Sequence, residues 1–99
     1  MKPIEKMKDE LARITYRWTG KVDTDEVLTT EMTAVLIDGM GFEYGNRHGL
    51  AVFDSEGGRQ LFDARYDSRF NTVETFYDNA LDFLKERYLP GTWELLAKG

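Results

Sequence analysis

The stretch 50–66 constrains the chain more than any other. Leu50-Ala51-Val52-Phe53-Asp54 and Arg59-Gln60-Leu61-Phe62-Asp63-Ala64-Arg65-Tyr66 flank the linker Ser55-Glu56-Gly57-Gly58. Two β-rich runs joined by a short glycine-bearing linker predict an antiparallel hairpin, with strands at 50–54 and 59–66. In the second run Phe62, Ala64 and Tyr66 alternate with Leu61, Asp63, Arg65 and Asp67. This alternation marks a sheet with one buried face and one wet face, which needs an apolar layer over it.

The spacing of apolar residues predicts that helices supply the layer. Ile4, Met7, Leu11, Ile14 and Trp18 form one stripe at helical period, with Pro3 at the start and Gly20 at the end. Within that stretch Ile14-Thr15-Tyr16-Arg17-Trp18 has the composition of a strand. Asp23-Thr24-Asp25-Glu26 fits a capping box for a second helix carrying Val27, Leu28, Met32, Val35 and Leu36. Thr29, Thr30, Thr33, Val35 and Ile37 oppose it, being β-branched and in part alternating as a strand would. A third helix over 72–89 is capped by Asn71 with Glu74 and buries Val73, Phe76, Tyr77, Ala80, Leu81, Leu84 and Tyr88. Phe83 lies off that stripe, as a partner contact would, and Trp93, Leu95 and Leu96 read as a tail folded back on the core. The expected fold is a small α+β domain spanning 1–99. Its helices pack on one face of a short antiparallel sheet, in the order α-α-β-β-α.

Composition narrows the function. The chain has 99 residues, no cysteine and one histidine. Thiol chemistry, a disulfide scaffold and a multi-histidine metal site within one chain are therefore excluded. No apolar run approaches the roughly 18 residues of a membrane span, and acids stand near the N-terminus where a signal peptide would be apolar. A cytoplasmic location is expected.

Net charge is −5, unevenly spread: residues 1–20 carry +2, residues 21–58 carry −6 and residues 59–99 carry −1. An acidic centre repels phosphate, which argues against direct nucleic-acid binding. It suits a basic protein partner, attracted and steered by the field. The residues expected to form that surface are Asp23, Asp25, Glu26 and Glu31, with Asp54 and Glu56 at the hairpin turn.

No catalytic set stands out. The glycine-rich stretch 39–49 holds Tyr44, Asn46, Arg47 and His48, where His48 could move a proton and Arg47 could clamp a carboxylate or phosphate. A connector with solvated side chains explains the same residues. No acidic cluster has the frame of a calcium loop, and neither glycine-rich stretch has the pattern of a P-loop or dinucleotide turn. The expected function is a non-enzymatic acidic interaction module with no metal and no cofactor. One form is an inhibitor or immunity-type protein bound to a basic surface. The alternative is a small enzyme or ligand-binding domain with its site at 44–48. The expected partner is another protein, or a second copy, rather than nucleic acid or a membrane.

Overall fold

The computed structural model describes residues 10–21, 23, 25–38, 48–55, 57–64 and 67–99. Five strands form one antiparallel sheet: β1 (Glu10–Lys21), β2 (Val27–Asp38), β3 (His48–Phe53), β4 (Arg59–Asp63) and β5 (Thr92–Lys98). Their order across the sheet is β4-β3-β2-β1-β5. The first four strands run back and forth. A 3-10 turn (Ser68–Phe70) and one helix, α1 (Val73–Arg87), then carry the chain to the opposite edge, where β5 pairs with β1.

This architecture corrects the expected order α-α-β-β-α. Residues 10–21 and 27–38 are strands, and among the described residues one α-helix, not three, packs on the sheet. In β1 the residues turned to the core are Ala12, Ile14, Tyr16 and Trp18, a spacing of two that only a strand can bury together. Ile14 stands opposite Ala34, and Tyr16 opposite Met32. The helical stripe expected at the N-terminus is not used: Leu11 is exposed, and Ile4 and Met7 lie outside the described residues. In β2 the β-branched residues prevail over the capping signal. Asp23 and Asp25 lie in the turn between β1 and β2 rather than at the start of a helix.

The expected hairpin is present as β3 and β4, with Phe53 opposite Arg59 and Leu50 opposite Phe62; Asp54 and Ala64 fall outside the strands, and residues 65 and 66 lie outside the described residues. Its turn is closed by Asp54, whose backbone N–H donates to the Gly58 carbonyl at 3.1 Å and whose Oδ1 accepts from the Gly58 N–H at 2.8 Å. Gly57 adopts φ +88°, a left-handed conformation that favours glycine. Ser55 fastens this turn to β2, since its Oγ accepts from the Glu31 N–H at 2.7 Å and lies 2.6 Å from the Thr30 hydroxyl.

Helix α1 covers the face formed by Ile14, Tyr16, Met32, Ala34, Leu36, Leu50 and Val52. It buries Phe76, Ala80, Phe83 and Leu84, which recur on one side of the helix. Its N-cap is Thr72, not the expected Asn71, and Thr72 and Thr75 exchange hydrogen bonds in a reciprocal capping box. Phe83 is a core residue rather than a partner contact. It is 3% exposed and meets Phe62 edge-on at 5.0 Å and Phe70 at 5.4 Å. The expected tail is strand β5, with Trp93 packed edge-on against Tyr16.

The other face of the sheet is mixed. Val35, Ile37 and Ala51 form a second buried cluster with Phe53 packed against it. Beyond them Thr15 and Thr33 hydrogen-bond across strands at 2.9 Å, and Arg17 meets Glu94 at 3.0 Å. No helix of the described residues is long and apolar enough to cross a membrane.

Candidate functional site

Two places on this framework combine exposed chemistry with a defined shape. The first is the tip of the β1–β2 hairpin. Pairing of β2 with β3 stops at Thr33 opposite Phe53, and pairing of β1 with β5 stops at Thr19 opposite Thr92. The β1–β2 ladder runs on to Lys21 opposite Val27. The hairpin therefore outruns both of its neighbours among the described residues.

Asp23, Asp25 and Glu26 gather there beside Lys21, so the tip is net acidic. Turn geometry accounts for the aspartates locally, since their short side chains suit tight reversals. Two apolar side chains flank the acids, Val27 at 59% exposure and Leu28 at 43%. The backbone adds a third feature. The Glu31 N–H points to the β3 side, where Ser55 accepts it. By the alternation of an antiparallel strand, the N–H and C=O groups of Val27 and Thr29 point the same way. No strand among the described residues lies beside them.

The other expected acids do not join this tip. Glu31 lies further along β2, directly opposite Arg17, which also pairs with Glu94. Asp54 lies at the β3–β4 turn with its carboxylate engaged by Gly58, and it lines a groove on the helix side of the sheet. Glu56 lies outside the described residues. So do Tyr44, Asn46 and Arg47 of the alternative ligand site. His48 opens β3 opposite Asp38, and its side chain lies outside the described set.

The second place is that groove, of about 370 Å³, between the C-terminal half of α1 and the β3–β4 hairpin. Met32, Val52, Phe62, Phe83 and Leu84 line its apolar part, and Asp54, Arg59, Gln60, Arg87 and Tyr88 its polar part. Arg87 lies over the Phe83 ring, 4.0 Å from the centroid, and 5.1 Å from that of Phe62. Sequence reasoning did not find this groove. Phe62 and Phe83 lie far apart along the chain, and only the packing of α1 on the sheet brings their rings to 5.0 Å.

The perturbed ionisable groups lie elsewhere. Hydrogen bonds from the Arg69 side chain hold the Asp67 carboxyl below its ordinary value, and the same pair raises Arg69. Burial, with a smaller contribution from Asp82, pushes the Tyr16 phenol up. The Asp67–Arg69 pair anchors the 3-10 turn, where Asp67 also accepts from the Arg69 backbone N–H. Among the described residues no three His, Cys, Asp or Glu side chains are grouped to hold a metal ion. Compared with known protein families, curated proteins and solved structures, the chain matches none.

Proposed function

We propose that the protein is a cytoplasmic interaction module that docks the tip of its β1–β2 hairpin on a basic protein surface, without catalysing a reaction. One observation carries the reading: among the described residues the hairpin outruns β3 and β5 and presents acids, exposed apolar side chains and backbone groups with no strand beside them. Each element has a distinct part in recognition. The carboxylates of Asp23, Asp25 and Glu26 attract a basic partner and speed encounter. Val27 and Leu28 supply apolar area at contact. The open edge at Val27 and Thr29 can accept a strand from the partner, a mode in which main-chain bonds give affinity and side chains give specificity.

Nucleic acid fits this surface poorly, because its phosphates would meet the carboxylates. A second copy fits less well than a basic partner, since two acidic tips repel. An inhibitor or immunity-type role is the specific form that a basic, nucleic-acid-binding target would give.

The test is capture from an extract of the cells that make the protein, using wild type and the double variant Asp25→Lys/Glu26→Lys. Proteins retained by the wild type should be lost with the variant and released by salt, while the two forms melt at the same temperature. Retention of the same proteins by the variant at low salt would reduce the acidic tip to a solubility feature.

A further inference from the structure

We propose that the groove between α1 and the β3–β4 hairpin binds an uncharged aromatic molecule of naphthalene size, seated against Met32, Phe62 and Leu84 with its polar group at Gln60. The volume of about 370 Å³ falls within the range of small-molecule sites, about 300–1,000 Å³. Met32 and Val52 belong to the core cluster that α1 covers, and Gln60 and Phe62 stand opposite Val52 and Leu50. All four side chains therefore lie on the helix side of the sheet. Arg59 stands opposite Phe53, so its side chain leaves on the other face and adds no charge to the mouth.

The lining favours a ring over a chain. Phe62 and Phe83 meet edge-on at 5.0 Å and Phe70 fixes Phe83 in turn, so the rings are held in one array that a further ring can extend. The thioether of Met32 makes favourable contacts with aromatic edges. The Arg87 guanidinium lies 4.0 Å from the centroid of Phe83 and 5.1 Å from that of Phe62, and its plane stacks on aromatic faces.

The rim decides the ligand's charge. Asp54 is the one acid of the lining, with its Oδ1 accepting the Gly58 N–H, and Arg87 is the guanidinium on the helix side. A ligand charge of either sign gains from one of these groups and is opposed by the other, and it must also leave water, which is costly. An uncharged ring keeps the gain from apolar burial without that cost. Gln60 is exposed at the mouth, where its amide offers a donor and an acceptor to a hydroxyl group.

The experiment is an NMR titration of the full chain near neutral pH, read at the methyl groups of Met32, Val52 and Leu84. The probes are naphthol, its anionic and cationic analogues naphthoate and naphthylmethylamine, and its saturated analogue decalol. Naphthol should shift these methyls and bind about tenfold more tightly than either charged analogue. It should bind about threefold more tightly than decalol. Two variants test the balance of the rim. Arg87→Ala should move the preference toward naphthylmethylamine. Asp54→Asn, which keeps an acceptor for Gly58, should move it toward naphthoate. Four results would overturn the proposal: unshifted methyls at millimolar naphthol, equal or tighter binding of a charged analogue by the wild type, equal binding of decalol, or an unchanged order of ligands in either folded variant.

Discussion

The indole Nε1 of Trp18 donates to the main-chain oxygen of Leu89 at 2.9 Å. This bond ties the C-terminal part of β1 to the turn that leads from α1 into β5. Trp18 is 1% exposed and meets Tyr88 edge-on at 4.7 Å, so the turn is built around one ring. Gly91 passes so close that a Cβ there would lie 2.3 Å from the indole nitrogen and 2.6 Å from the Thr19 carbonyl oxygen. Gly91→Ala should therefore destabilise the protein by about 1–3 kcal/mol, the usual cost of overpacking. A fall of several degrees in the calorimetric midpoint is the expected result. An unchanged midpoint would show that the turn yields without loss.

Phe83 joins α1, the hairpin and the 3-10 turn through its contacts with Phe62 and Phe70. Its truncation leaves a cavity that three separate elements would have to close. Phe83→Ala should cost about 3–5 kcal/mol, a large share of what holds a domain of this size. Urea denaturation measures it, and a cost below about 1 kcal/mol would place Phe83 on the surface rather than in the core.

The Asp67–Arg69 pair gives stability a pH dependence of defined sign. The folded-state carboxyl lies below its ordinary value of 3.8, chiefly through hydrogen bonds from the Arg69 side chain. Its contribution is fully present above that ordinary value and is lost as pH falls through the lower, folded-state one. Asp67→Asn should flatten the acid limb of stability against pH in that window and leave the limb above neutrality unchanged. The pair is partly exposed, so the effect should shrink with added salt. Parallel acid limbs for the two proteins would remove the pair from the account.

The parts of the fold legible in the sequence were those whose signal is local. The hairpin at 50–66 carries its glycines between its strands, and α1 carries its apolar stripe within one helix. In β1 and β2 the signal was divided. Ile14 and Trp18 fit a helical stripe through Leu11, yet they also alternate with Thr15 and Arg17 as strand residues. What decides is nonlocal: Ile14 finds Ala34 across the ladder and α1 above it, and neither can be read from the spacing. The acids of the tip were legible as acids. Their position at the end of a projecting hairpin was not, because it follows from where β3 and β5 stop. The groove was invisible for the same reason, since Phe62 and Phe83 meet only once α1 crosses the sheet.

The central claim is that β2 is a strand whose first residues present an open edge. Amide hydrogen exchange followed residue by residue tests it most directly. Thr33, Val35 and Ile37 face β3 and should exchange slowly, as should Thr30 and Met32, which face β1. Val27 and Thr29 should exchange fast in the free protein, in alternation with a slower Leu28. Uniform protection from Val27 through Asp38 would contradict the account, because it would mean that the edge is already filled or that the segment is helical.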